Sequence, residues 1–514
     1  MKPIFMKARF FPTVFIILLI ITSLHNPLVQ SKSSTVQLNK TLFSSIDDCV
    51  NEWSDGVFDG TWMISADQQG MIHGDLCYRR TDKNGVFQGE LMLEDNVVIG
   101  EYNGWFFNHL IIGVLRYSQA IIPVPFVGRF NYTNDGFSAF IYLNLSEHIR
   151  ITGTYTASFL PPLTGSYGVG VKQYHLVDTN RPEYFTSEVD DYREMMIQIW
   201  YPTEKETIDP YADYMDPSTF LWLKTQSPIP LFTIPNNAYQ FINPHFKQNN
   251  SLVSYSSSFP IIIFSHGYDG VYQIYTSFIE DLVSHGFVVV SINHPYVAGI
   301  TVFPDGRTVS IASVPDEQVQ DFFNMSLRSV IEDAKYVIDY VSLLNQTSNF
   351  WQGRLDVSKV GMFGHSFGGA ATAVCCMEDN RFKAGLTLDG VFYPGFLEND
   401  IFSPMLMMFT KGRYQEDDGA DFLWDQLKND AYKIGITGSE HYSYTDVGLL
   451  LKHLTPLLPP KLLGFGSIPP KRMVNISRQI ELAFFDVYLR NGDQDQLNSL
   501  FDVYDELLVT KKSD

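Results

Sequence analysis

Cysteine is scarce in this sequence: four in 514 residues, at positions 49, 77, 375 and 376. None stands with histidine at a spacing that suits zinc, and neither a metal nor any other cofactor is expected. Basic runs are missing too. Lysine and arginine total 36 against 57 aspartates and glutamates, a formal net charge of −21. A chain of that sign repels phosphate backbones, which argues against nucleic-acid binding. Beyond the first 24 residues no continuous apolar stretch reaches membrane-spanning length, so the mature chain is expected to be soluble. What is present excludes disorder of the whole: 45% hydrophobic and 14% aromatic residues are ample for a buried core. The length allows two or three domains.

At the N-terminus, Lys2, Lys7 and Arg9 precede the apolar run Val14–Leu24. This reads as a signal peptide over residues 1–30 and a secreted or extracytoplasmic protein, in preference to an uncleaved anchor. Seven N-x-S/T triplets, at Asn39, Asn131, Asn144, Asn249, Asn324, Asn345 and Asn475, are weak candidates for glycosylation. Cys49 and Cys77 are candidates for a disulfide in an oxidising compartment, with two separate thiols as the alternative. Cys375 and Cys376 adjoin on an expected helix and read as small core residues.

Residues 45–162 alternate with period two between turn signals such as Asn84-Gly85 and Asp135-Gly136, and Gly–aromatic–Gly pieces recur loosely (GVFDGTW, GVFQGEL, IGEYNGWFF). That pattern predicts a smaller antiparallel all-β domain, a sandwich or a barrel, and no constellation in it carries chemistry. Near Pro161-Pro162 the pattern changes. Over residues 163–510 short apolar strands (PIIIFSHG, GFVVVSINHP, KVGMFG) interleave with amphipathic helical runs, which predicts an α/β domain with a mostly parallel sheet covered on both faces.

Gly364-His365-Ser366-Phe367-Gly368 matches G-x-S-x-G, a weak signal alone. Its context strengthens it, because it follows a short apolar strand and opens a helix beginning Gly369-Ala370-Ala371. Glycines stand where a tight strand-to-helix turn leaves no room for Cβ atoms, which makes Ser366 the candidate nucleophile. A serine needs a base and an orienting carboxylate. Only His441 and His453 lie downstream. His441 occupies a loop after the strand YKIGITG, at the sheet edge that also holds Ser366, whereas His453 sits in a helical run; His441 is the expected base. For the acid, Asp389 ends the first strand after the nucleophile, and Asp417 and Asp418 follow the next strand, the commoner place. Asp389 is favoured as a lone carboxylate after an apolar run, while Glu416-Asp417-Asp418 reads as a solvated loop. The oxyanion donors are expected to be the amides of Phe367 and of Tyr268, in the Ser265-His266-Gly267-Tyr268 turn.

With these residues in place the chain resembles the plasma/type-II platelet-activating-factor acetylhydrolase family of α/β-hydrolases. The resemblance runs from about Thr164 to Asn491 and rests on ordered matches including TGSYGVGVKQYHLVD, REMMIQIWYP, FPIIIFSHGYDG, HGFVVVSINHPY, FPDGR, KVGMFGHSFGGA, RFKAGLTLDG and GSEHYSYTD. It implies the triad Ser366, Asp389, His441 and calcium-independent hydrolysis of short or oxidised sn-2 acyl esters of phospholipids. The β-rich region lies outside it.

Two stretches bear on substrate. Residues 203–258 form a long aromatic- and proline-rich connection, a candidate lid. The apolar segment LLLKHLTPLLPPKLLGFGSI after His441 reads as pocket wall and core, or as a surface in peripheral contact with lipid. The expected function is a secreted serine esterase acting on lipid esters. Its alternatives are a general carboxylesterase of dienelactone or polyester type, and a binding protein on a hydrolase scaffold.

Overall fold

The computed structural model describes residues 56–512, apart from the connections between the first eight strands, residues 158–159 and 189, and segments 206–210, 227–235, 237–238, 240–241, 249, 254–257, 313–317 and 455–463. The leader read over residues 1–30, and Cys49, lie outside the described residues. Cys77 falls within a strand, and its expected pairing stays an expectation.

Eight antiparallel strands come first: β1 (Gly56–Ser65), β2 (Gln68–Thr81), β3 (Asn84–Met92), β4 (Val98–Phe107), β5 (Leu110–Tyr117), β6 (Val124–Thr133), β7 (Gly136–Tyr142) and β8 (His148–Ala157). Each pairs with the next, and β8 pairs back onto β1, so the sheet closes as a barrel without free edges. The recurring glycines have a steric reason where it can be seen. Gly89 stands opposite Gly74 on one side and Tyr102 on the other. A Cβ at Gly89 would lie 2.3 Å from the Tyr102 hydroxyl, which donates to the His73 carbonyl across the same gap at 2.9 Å. Glycine makes room for the neighbouring ring, and Ile72, Phe87, Leu91, Ile111 and Leu115 are buried beside it.

The remainder is built on one ten-stranded sheet, ordered β11-β9-β10-β13-β12-β16-β17-β18-β19-β20. Its strands are β9 (Gly168–Pro182), β10 (Tyr192–Thr203), β11 (Phe246–Gln248), β12 (Phe259–Ser265), β13 (Val288–Asn293), β16 (Leu355–His365), β17 (Phe382–Leu388), β18 (Met405–Thr410), β19 (Ala431–Ile436) and β20 (Leu507–Lys512). A separate small hairpin pairs β14 (Ile300–Val302) with β15 (Thr308–Ser310). The central strands β13, β12 and β16 to β19 are parallel. The helices are α1 (Pro217–Gln226), α2 (Thr276–Ser284), α3 (Val319–Thr347), α4 (Phe367–Glu378), α5 (Lys411–Gln415), α6 (Asp418–Gln426), α7 (Val447–Leu454), α8 (Pro470–Arg490) and α9 (Gln494–Val503).

Alternation along β12 shows why the strands are apolar throughout. Ile262 and Phe264 pack with Phe278 and Ile279 of α2 and Met473 and Ile480 of α8. Ile261 and Ile263 pack with Leu327 and Val330 of α3 and Ala370 and Val374 of α4. Both faces are covered, so neither row can be polar. Because the central strands are parallel, Ser265, His365, Leu388 and Thr410 all end at one edge of the sheet, where crossover loops gather functional groups.

Several described residues of the 203–258 connection are built into the core. Tyr214 and Phe220 are buried, and Trp222 lies over Gly299, where a Cβ would sit 1.9 Å from its ring. Helix α7, after the His441 loop, lies beside β2 of the barrel. Its Leu449 and Leu450 are buried in the core. No described helix is long and apolar enough to cross a membrane.

Candidate active site

Ser366 stands at the turn between β16 and α4, with φ 54° and ψ −112°. This is left-handed backbone that a residue with a Cβ avoids, at a cost of about 1–3 kcal/mol, and it persists only where the surroundings dictate it. Glycine supplies the room. A Cβ at Gly364 would fall 2.3 Å from the main chain of Gly368, and one at Gly368 would fall 2.1 Å from the Ser265 carbonyl. Helix α4 therefore starts hard against the ends of two strands, and Gly369 lets it approach Gly390. The turn is tied down by Ser366 N–H donating to the Leu388 carbonyl at 2.9 Å and Val391 N–H to the Ser366 carbonyl at 3.2 Å.

Asp389 follows β17 and is almost fully buried; its own backbone is left-handed, with φ 47°. Its Oδ2 lies 2.6 Å from His441 Nδ1, and its Oδ1 accepts the Thr410 amide at 3.0 Å. Burial pushes this carboxyl up, but the bond to His441, the charge of Arg413 and the Thr410 amide outweigh it and hold it below the usual carboxylate range. Asp417 has other work. It caps α6 through the Ala420 amide at 2.8 Å and pairs with Arg413 at 2.6 Å.

Arg413 bridges the two carboxylate regions. Its guanidinium donates to the main-chain carbonyls of Asp389 and Gly390, each at 2.7 Å. Nothing in a charged stretch after a strand marks one arginine as that brace. The G-x-S-x-G motif by itself gives His365 no role. It is buried and bridges the Tyr275 hydroxyl (2.9 Å) and the His441 carbonyl (3.0 Å), with its ring 4.5 Å from that of His441. Burial, with His441 alongside, pushes its pKa down to about 3, so it is neutral and serves as a hydrogen-bonding strut.

The structure thus joins His441 to Asp389 and, through His365, ties the His441 main chain to the residue before Ser366. It makes no hydrogen bond between the Ser366 hydroxyl and His441 themselves; such contacts often tighten only with substrate bound. On the other side, the His266–Tyr268 turn crosses Ser366: a Cβ at Gly267 would lie 3.3 Å from Ser366 Cβ. Phe367 opens α4, where the first amides of a helix have no partner in the helix, and its ring meets that of Tyr268 edge-on at 5.6 Å. A nucleophile, a base held by a carboxylate and two neighbouring amides can carry out acyl transfer. No group of three or more metal-ligating side chains of suitable geometry occurs among the described residues.

A covered, mostly parallel sheet with a strained serine turn and a histidine–carboxylate pair at its carboxyl edge is an α/β-hydrolase. A solved ferulic acid esterase from Streptomyces cinnamoneus shares the fold, with a TM-score of 0.56 and 24% identity over 68% of this chain and 98% of that one. The profile of the family described as "Platelet-activating factor acetylhydrolase, isoform II" matches residues 152–338 and 316–508, and the chain belongs to that family. Among curated relatives, a platelet-activating factor acetylhydrolase of Cavia porcellus is 26% identical over 68% of this chain and 83% of its own length. A probable 1-alkyl-2-acetylglycerophosphocholine esterase of Arthroderma benhamiae is 25% identical over 48% of this chain and 65% of its own. The protein is a carboxylic ester hydrolase.

Proposed function

We propose that the protein is a secreted serine esterase that removes short or oxidised sn-2 acyl groups from phospholipids. The observation that carries the mechanism is the 2.6 Å contact between His441 and the buried Asp389, at the sheet edge where Ser366 is held in strained backbone. His441 takes the Ser366 proton through Nε2 as the serine oxygen attacks the ester carbonyl, and Asp389 fixes the imidazole tautomer and balances its charge. The amides of Tyr268 and Phe367 meet the developing oxyanion. His441 then protonates the departing lyso-phospholipid, water attacks the acyl-enzyme with His441 again as base, and the short acid leaves. Family membership and the relatives' names support the phospholipid substrate.

Phosphocholines of graded sn-2 chain length test the substrate. Turnover should be greatest for acetyl and short or oxidised chains and fall steeply for long unmodified ones. A preference for simple or aromatic esters over every phosphocholine would make it a general carboxylesterase. Secretion is tested separately: the N-terminus of protein recovered outside the cell should begin beyond the apolar run Val14–Leu24.

A further inference from the structure

A second serine–histidine–aspartate chain lies wholly inside the molecule, behind the proposed oxyanion turn. His294 Nε2 is 3.0 Å from the Ser265 hydroxyl, and its Nδ1 is 2.8 Å from Asp333 Oδ2. All three side chains are fully buried, so no substrate reaches them and the set cannot act as a second nucleophile. Two arginines anchor its acidic end. Arg193 Nη2 and Nε donate to Asp333 at 2.7 and 3.1 Å, Arg181 Nη2 donates at 2.7 Å, and Arg193 also pairs with Glu183 at 3.0 Å. The carboxylate therefore stays ionised and accepts from His294 Nδ1–H. That leaves Nε2 as the acceptor for the Ser265 hydroxyl.

The other end of the network reaches the turn itself. The His294 amide points at His266 Nε2 (3.4 Å), which leaves the proton of His266 on Nδ1, where it donates to the Gly267 carbonyl at 2.7 Å. The Gly270 amide donates to the same carbonyl at 2.9 Å. Gly267 C=O and Tyr268 N–H belong to one planar trans peptide and point in opposite directions. Fixing the carbonyl with two donors turns the Tyr268 amide the opposite way, and Ser366 stands next to this turn, a Cβ at Gly267 lying 3.3 Å from its Cβ. The segment after His294 holds the far end of the turn, with Asp269 N–H donating to the Val297 carbonyl at 3.0 Å and Ala298 N–H to the His294 carbonyl at 2.7 Å. Burial lowers the pKa of both histidines, His266 to about 3, so neither gains a proton that would reverse these donors near neutral pH.

We propose that His294, clamped between Ser265 and Asp333, is a positioning residue that sets the orientation of the Gly267–Tyr268 peptide and thereby the oxyanion donor. This rests on the reading of Ser366 and Tyr268 given above. The test compares wild type with His294→Gln and Ser265→Ala, the latter leaving the His294–Asp333–Arg193 part intact if the glutamine variant folds poorly. Active sites are counted by fluorophosphonate labelling of Ser366, so that loss of folded protein lowers the count and leaves the kcat per site alone. The expected result is a kcat per labelled site at least tenfold lower in His294→Gln and lower by a smaller factor in Ser265→Ala. KM should stay within about twofold, and affinity for a tetrahedral trifluoromethyl-ketone analogue should fall in parallel with kcat/KM. Unchanged kcat per labelled site in Ser265→Ala and in whatever His294→Gln folds, or a loss carried by KM alone, overturns the proposal with the Ser366 reading intact. Turnover retained by Ser366→Ala would overturn both.

Discussion

Two places in the sequence, Asp389 and the Asp417-Asp418 pair, compete to hold His441, and their surroundings differ in kind. Asp389 is buried, reaches His441 and has a lowered pKa; Asp417 is spent on a helix cap and an arginine. Asp389→Asn should therefore cut kcat by on the order of 10⁴-fold, because the amide no longer enforces the reacting tautomer. Asp417→Asn should cost less than about tenfold, through a loosened Arg413. Steady-state kinetics of both variants check the ranking, and the reverse order would move the acid to the later strand. Ser366 and its glycines were legible because a steric demand writes itself into residue choice. Arg413 was not, since what it braces beside Asp389 are main-chain carbonyls that any sequence supplies.

At the scale of elements, the 203–258 connection, the candidate lid, is tied at Tyr214 and His245 to helix α2 and the segment after His441 through buried carboxylates. Asp446, five residues beyond His441, accepts from the Ser277 amide at 3.1 Å, from its hydroxyl, and from Tyr214 of the connection at 3.1 Å. His245 of the same connection meets Glu280 of α2 at 3.1 Å. Such ties join residues far apart in sequence and leave no periodic signal, whereas the helices and strands that they fasten were legible from period 3.6 and from apolar runs. Burial raises Asp446 to about 7 against the opposing bonds from Ser277 and Tyr214. The folded state then holds a proton that the unfolded chain gives up near pH 4, so stability falls as pH rises from about 4 to 7 and levels off above, by a few kcal/mol. Asp446→Asn should lack this fall: its Tm should match wild type near pH 4 and exceed it at pH 8. Parallel Tm profiles for the two proteins would contradict the assignment.

Across the whole molecule, the sheet and its covering helices were legible as an α/β layer, and the N-terminal strands as sandwich or barrel. The barrel was settled only by the pairing of β8 with β1, which closes over a sequence distance that local pattern does not record. We propose that residues 56–157 and the hydrolase region are separate domains. The junction is held by Thr164 donating to Asp281 at 2.8 Å through its amide and by Arg478 to the Pro162 carbonyl at 3.0 Å. A chain beginning at Leu163 keeps the Thr164 contact and every proposed catalytic group, so its kcat on a soluble nitrophenyl ester should stay within a few-fold of the full chain. Its Tm should drop, because the side of α7 that lies beside β2 becomes exposed. If the barrel recruits lipid surfaces, activity on aggregated phospholipid should fall while the soluble assay is spared. Equal loss on both substrates would mean that the barrel supports the catalytic fold instead.

The central claim is that acyl transfer passes through Ser366. Rapid acid quench of the full chain during turnover of a short-chain nitrophenyl ester, followed by intact-mass and peptide mass spectrometry, reads that step directly. The account predicts one added acyl group per molecule, on the peptide carrying Gly364-His365-Ser366, with no adduct and a kcat lower by several orders of magnitude in Ser366→Ala. An adduct on another residue, or turnover by Ser366→Ala near that of wild type, would contradict it.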